Sequence, residues 1–261
     1  MRYTIRKLYK SSLLIFVFIS ISYAQNNFTF KQFGNESRDF IKQPLNWKAE
    51  DLAKLGIIGL STFLVSYGDE PVRNEIIKDR SFYNSFPIEA GRIWGEAYTT
   101  GIVAGLFALS GISNNNGANK RIAFETAQSF IYTGFTTGLL KVSFGRSRPY
   151  LEEGANHFKP LTIYQYDRSS FPSSHTSTAF SLSTILSKNS KSDLMKILIY
   201  IPAFATAFSR MYQDQHWLSD TFFGAFIGYF VAEWVYKQHH DNDDFHGIEI
   251  PVQTNIISIT F

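Results

Sequence analysis

Apolar residues recur at helical spacing along most of the chain, and almost no strand alternation appears before residue 247. Residues 25–45 are polar and predict irregular chain. From 47 to 66, Leu52, Leu55, Ile58, Leu60, Phe63 and Leu64 predict a helix, which Gly68-Asp69-Glu70-Pro71 ends. Residues 72–90 are mixed, with Pro87 as a breaker, and Glu89 to Leu109 predicts a helix despite its glycines. Asn114-Asn115-Asn116-Gly117 marks a loop. Arg121 to Phe144 is a long helical pattern that ends near Gly145 and Pro149. Tyr150 to Phe171 reads as a loop of about twenty residues, a length that in a compact domain is often functional. A helix is expected to start near Ser173, because Ser and Thr cap the apolar run Ala179 to Leu186. After a turn at Lys188 to Asp193, Leu194 to Ser209 and Trp217 to Gln238 predict two more helices.

The tail differs. Ile248, Ile250, Val252 and Ile256 alternate with other residues, then Ile257, Ile259 and Phe261 alternate in the opposite phase. This predicts one strand with a bulge, packed on the domain; a lone strand cannot make a barrel. The fold class expected is therefore all-α, a helical bundle with a short strand-like C-terminal tail. Residues 1–24 read as a signal peptide: Arg2, Arg6, Lys7 and Lys10 precede the apolar run Ser11 to Ser22, and Ser22-Tyr23-Ala24 is a small-x-small cleavage site. An uncleaved anchor is the alternative. The rest divides into an N-terminal extension with one helix (25–90), a main domain (91–240) and the tail (241–261). No segment after the leader supplies ~20 apolar residues cleanly. Ile122 to Leu140 is long enough but carries Glu125, Thr126 and Gln128. The expectation is a soluble or membrane-surface protein.

Composition narrows the chemistry. With 261 residues, one substantial core is the default. The 25 Phe and 14 Tyr argue against disorder. The net charge of +3 is spread along the chain without a basic stripe, so nucleic acid is not an expected partner. The absence of Cys excludes disulfides, thiolate metal sites and a Cys nucleophile.

Three clusters carry chemistry. The first is Lys141, six residues, then Arg148-Pro149; the second is Pro172-Ser173-Ser174-His175; the third is Ser209-Arg210, five residues, His216, three residues, Asp220. His216 and Asp220 are four apart and share a face on a helix. A carboxylate there can hold one imidazole N–H and leave the other nitrogen facing a substrate, although such a pair alone is more often a surface contact. Lys141, Arg148 and Arg210 can supply three cations to the equatorial oxygens of a phosphoryl group; each alone would be a solvated helix end. Arg146 is left in that ordinary role. Ser173 and Ser174 lie at an expected helix N-terminus, which favours an anion, although Ser173 could be a plain cap. His175 can protonate a leaving alkoxide, while His216 must be neutral to attack, which predicts a bell-shaped rate profile. His157, His239, His240 and His246 lack such context, and His239-His240 with Asp241, Asp243 and Asp244 reads as a solvated polar tail.

In this order and within about residues 120–236, the clusters resemble the signature of the type 2 phosphatidic acid phosphatase superfamily, which includes class A acid phosphatases, lipid phosphate phosphatases and vanadate-dependent haloperoxidases. Of the eleven signature positions, Ser174 alone departs, where the family typically has Gly. The resemblance implies the superfamily's helical bundle and phosphate-ester or diphosphate hydrolysis through a phospho-histidine, with His216 as nucleophile, His175 as general acid and Asp220 as orienter. It implies that Lys141, Arg148, Arg210, the Ser173 hydroxyl and the backbone N–H of Ser174 contact phosphate. No cofactor or metal is expected. Alternatives are a vanadate-dependent haloperoxidase, disfavoured by the short chain, and a non-catalytic envelope protein of the same fold. Substrates left open are soluble phosphomonoesters, lipid phosphates, isoprenyl diphosphates and lipid A phosphates. Tyr150, Phe158, Tyr164 and Tyr166 could line an apolar entrance, which favours a lipid-linked substrate at a membrane surface, although core packing accounts for such aromatics equally well; the leader predicts export to the periplasm or the membrane-associated cell envelope. The oligomeric state is not readable.

Overall fold

The structure is a computed structural model that describes residues 28–163 and 165–240. The expected signal segment, the alternating tail, His246, the aspartates after residue 240 and Tyr164 lie outside the described residues. Among the described residues ten α-helices follow in order: α1 (Phe30–Lys42), α2 (Ala49–Ser66), α3 (Asp69–Ile76), α4 (Phe86–Trp94), α5 (Ala97–Ser113), α6 (Gly117–Phe144), α7 (Ser174–Lys188), α8 (Asp193–Leu198), α9 (Ile201–Tyr212) and α10 (Leu218–His240). The architecture is all-α. Among the described residues the β pairing is an isolated bridge between Arg146 and Phe158.

Helices α6, α7 and α10 form the centre, with α9 against α7, α5 against α6, α4 against α9 and α2 against α10. Ile122, Tyr132, Ile185, Ile227, Val231 and Val235 make the main apolar core between them. Helices α7 and α10 approach closely because small residues face each other. A Cβ on Gly228 would lie 2.1 Å from the Ser177 carbonyl oxygen, and one on Gly224 would lie 2.8 Å from that of Ser173. This contact presses the start of α7 against the first half of α10 and fixes the two ends that carry Ser173 and Asp220.

Local chemistry sets the boundaries. The Asn116 side chain caps α6 by accepting from the Asn119 N–H, and Ser173 caps α7 by accepting from the Thr176 N–H. Gly145, at φ +56°, closes α6 in the left-handed conformation, and a Cβ there would lie 1.8 Å from the Lys159 carbonyl oxygen. The chain then enters the long loop before α7, which holds short 3-10 turns at Pro149–Leu151 and Tyr166–Arg168.

Several expectations need correction. The polar stretch expected to be irregular holds α1. Its inward face is largely polar: Ser37 Oγ lies 2.9 Å from the Tyr132 hydroxyl and Glu36 accepts from Gln128 Nε2 at 2.6 Å, while Phe40 stacks on Tyr132. The stretch expected to hold one helix holds α1, α2, α3 and the start of α4. Helix α2 ends at Ser66, just before the Gly68-Asp69-Glu70-Pro71 run, and Asp69 opens α3. Pro87 occupies the first turn of α4, where a missing N–H costs nothing. The helix expected over Glu89 to Leu109 breaks at Gly95, and that over Leu194 to Ser209 breaks at Ile199–Tyr200, where Pro202 opens α9. His239 is not solvated, as expected, but buried between Glu36 and Glu125.

Large apolar side chains remain exposed along the flanks, including Ile57, Leu60 and Phe63 on α2, Leu106 on α5 and Phe204 on α9. The stretch Asp193–Tyr212 is long and apolar enough to cross a membrane by length and composition.

Candidate active site

The three clusters meet where the end of α6, the start of α7 and the start of α10 converge. The loop between α9 and α10 carries His216, whose side chain is 2% exposed. Asp220 sits in the first turn of α10 and reaches back: its Oδ2 accepts from the Trp217 N–H at 2.9 Å and from Ser170 Oγ at 2.5 Å. His216 Nδ1 lies 3.7 Å from the same oxygen, an ion-pair distance beyond hydrogen-bonding reach. The other carboxylate oxygen, Oδ1, accepts from Arg146 at 2.6 Å. The Ser173 N–H donates to the Asp220 carbonyl at 3.0 Å, which joins the second cluster to the third.

The cations enter from three sides. Arg148 donates to the Gln215 side-chain oxygen at 2.9 Å and to its carbonyl at 3.3 Å, and its guanidinium stacks 3.9 Å from the Tyr166 ring centre. Lys141 donates to the Ser169 carbonyl, and Arg148 reaches the Ser169 hydroxyl at 3.4 Å. Arg210 donates to Gln213 at 2.6 Å, and its carbonyl accepts from the Gln215 N–H at 3.0 Å. The Arg210 Nε is buried with no hydrogen-bond partner among the described residues. None of these three cations pairs with a carboxylate among the described residues, whereas Arg73, Arg80, Arg92, Arg146 and Arg168 all do.

His175, in the first turn of α7, is partly exposed, with Nε2 3.5 Å from Glu96. Glu96 reaches it because the α4–α5 joint at Gly95 packs against the His175 backbone. Ser174, between Ser173 and His175, opens α7 and is half-buried. The electrostatics bind the parts together. Burial pushes the His216 imidazole well below its ordinary value; Asp220 opposes this, and Arg148 and Lys141 reinforce it. Burial also lowers His175, with Glu96 opposing and Arg210 and Arg148 reinforcing. Burial and the neighbouring Arg148 push Lys141 down to about 7. Burial raises the Asp220 carboxyl, but the Arg146 charge and hydrogen bonds outweigh it and hold the group far below the usual carboxylate range.

Residues 123–244 match the family model described as the PAP2 superfamily. That stretch belongs to the PAP2 superfamily. All eight expected site residues lie within the PAP2 stretch. The lipid A 1-phosphatase of Porphyromonas gingivalis is 36% identical over 98 residues, which are 37% of this chain and 19% of that protein. The matched part thus spans about a fifth of that relative's length. A crystal structure of Aquifex aeolicus LpxE aligns over 65% of this chain and 94% of that one, with a TM-score of 0.49 and 22% identity.

Sequence reasoning missed several residues around the PAP2 centre. Arg146, left as a solvated helix end, is buried at 2% exposure and bonded to Asp220 and Asp69. Its proximity to Arg148 was visible; its partner Asp69, 77 residues earlier, was not. Ser170, Glu96 and Gln215 were also missed. Each follows or precedes a motif position by a few residues or comes from outside the PAP2 stretch, and only the packing joins it to the centre.

Proposed function

We propose that this chain is a phosphatase that hydrolyses a lipid-linked phosphomonoester or diphosphate through a phospho-histidine intermediate in the cell envelope. One observation carries the reading. Arg148 and Arg210 are buried and Lys141 is half-buried, none with a carboxylate partner among the described residues, beside two histidines with depressed pKa values. A buried cation without a counter-charge is costly, so a cluster of them supports a site completed by an anion. Two guanidiniums and an ammonium match the charge spread over a transferring phosphoryl group.

In this mechanism, neutral His216 attacks phosphorus through Nε2, since Asp220 lies on the Nδ1 side. An N–P bond forms as the bond to the leaving oxygen breaks, and His175 gives its proton to that oxygen. His216 becomes cationic as it takes the phosphoryl group, and the Asp220 carboxylate stabilises that charge. Neutral His175 then takes a proton from water, whose oxygen attacks the phospho-histidine. Phosphate leaves, and His216 returns to its neutral form. The Ser173 hydroxyl and the Ser174 N–H, at the α7 N-terminus, receive phosphate oxygens. A serine at 174 keeps the N–H, so the departure from Gly preserves the donor. Burial, Arg210 and Arg148 lower the His175 pKa, Glu96 opposes them, and the negative charge of a bound phosphate ester favours the protonated form that donates to the leaving oxygen.

The exposed apolar side chains of α2, α5 and α9 support contact with lipid, as do Leu161 and Ile163 on the loop beside the site, which are 79% and 63% exposed. The name of the Porphyromonas relative points to the same substrate class. The test is phosphate release by the full chain in detergent from matched lipid and soluble phosphates. The expected result is vanadate-sensitive release with kcat/KM favouring the lipid. Release from neither class overturns the phosphatase reading, and equal release from both overturns its lipid half.

A further inference from the structure

We propose that Arg146 and Asp69 are positioning residues, forming with Asp220 a buried carboxylate–guanidinium–carboxylate chain that aims Asp220 and sets the charge presented to His216. This rests on His216 being the nucleophile. Arg146 has five N–H groups, and the geometry uses all of them. Nε and one terminal nitrogen donate to the Ala155 carbonyl at 2.9 and 2.7 Å. The same terminal nitrogen donates to Asp69 Oδ2 at 2.6 Å, and the other donates to Ser219 Oγ at 2.8 Å and Asp220 Oδ1 at 2.6 Å. The Phe158 and Trp217 rings lie 5.3 and 5.6 Å from the guanidinium carbon. A guanidinium so bonded has one position, and it fixes one oxygen of Asp220 while leaving the other toward His216.

Asp69 closes the chain. Its Oδ1 accepts from the Ser219 N–H at 2.8 Å and its Oδ2 from Ser219 Oγ at 2.7 Å. It therefore holds the first turn of α10, next to Asp220, as well as Arg146. Asp69 comes from α3, outside the PAP2 stretch, so the N-terminal helices supply part of the support for the catalytic centre.

The charge count gives the chain a second role. Two carboxylates and one guanidinium sum to −1 in a dry site, and the cation that forms on His216 cancels it. Removing Arg146 leaves two buried carboxylates and makes the surroundings of His216 more negative. Removing the Asp69 charge makes them neutral. Lys141 and Arg148 also face this group, and neither substitution alters them. The two changes thus move the protonation of the His216–Asp220 pair in opposite directions, which a purely structural role would not do.

The experiment is the pH dependence of kcat/KM for full-length Asp69→Asn, Arg146→Gln and Arg146→Lys, with activity normalised to folded protein. Asp69→Asn lowers the acid limb and Arg146→Gln raises it, each by about one pH unit. Both lower kcat by ~10-fold or more with little change in KM, and Arg146→Lys brings the limb back toward wild type. If Arg146→Gln does not fold, Asp69→Asn and Ser219→Ala carry the test, since Ser219→Ala removes one bond to each partner and lowers kcat without moving KM. Unchanged kcat and acid limb in Asp69→Asn and Ser219→Ala overturn the proposal. His216→Ala, run in parallel, separates the two readings: its inactivity beside an unchanged Asp69→Asn rejects only the positioning chain, and its full activity rejects the nucleophile assignment.

Discussion

His216 and His239 are both buried histidines beside carboxylates, near opposite ends of α10, and their pKa values are shifted in opposite directions. Asp220 and His239 are about 28 Å apart along the helix axis. At the far end, His239 lies between Glu36, 3.2 Å from Nε2, and Glu125, 3.5 Å from Nδ1, and His240 reaches Glu125 at 3.0 Å. Asn189 and Gln128 donate to the same two carboxylates. Burial lowers His239, but Glu125 and Glu36 outweigh it and lift it to about 9. At the near end, burial depresses His216, Arg148 and Lys141 add to it, and Asp220 does not outweigh them. One centre pairs its charged side chains with one another, and the other is the one proposed to be completed by an anion. Burial and residue type are alike in both; the sign of the uncompensated charge separates a structural knot from a binding site.

This comparison can be broken most sharply by removing a cation from the near end. Arg210→Met should lower kcat/KM by ~10²–10³, the usual cost of losing one preorganised donor. Its thermal stability should stay equal or rise, because a buried unpaired cation has been removed. A large fall in stability would mean that Arg210 is structural. Next in size, Glu125→Ala at the far end should destabilise the fold by ~3–5 kcal/mol, since it strips a buried pair of one partner. Its kcat/KM per folded molecule should hold, measured by denaturation and kinetics on the same preparation.

Smaller effects follow from pH. The folded pKa of His239 is raised above its unfolded value of 6.5, so its contribution is complete below about pH 6.5 and is lost as pH rises through about 9. Denaturation midpoints should fall across that window in the wild type and stay flatter in His239→Gln. At the near end, kcat/KM should decline on the alkaline side from about pH 7 or below, as Lys141 and His175 lose their protons. In Lys141→Arg, the part of that decline due to residue 141 should disappear, and an unchanged limb would assign it to His175 alone.

The centre was largely legible in the sequence because its groups sit in short, chemically unusual runs whose spacing survives folding. Lys141, Arg148, Ser173 and Asp220 could be named from spacing and resemblance before any packing was known. What was not legible depends on partners far along the chain. Helix α1 has few apolar residues because Glu36 and Ser37 face buried polar partners, and hydropathy alone cannot register such a face. Asp69 reads as part of a helix stop but is the first residue of α3, and nothing local tells that its carboxylate holds Arg146. His239 reads as part of a polar tail until Glu36, 203 residues earlier, is seen beside it.

The most direct test of the central claim traps the intermediate. His175→Ala, given an aryl phosphate whose leaving group needs no proton, is mixed with labelled substrate and quenched in base, where phospho-histidine survives. The account predicts label on the peptide carrying His216, absent in the His175→Ala/His216→Ala double variant. Turnover without a trapped label, or label on another residue, would contradict it.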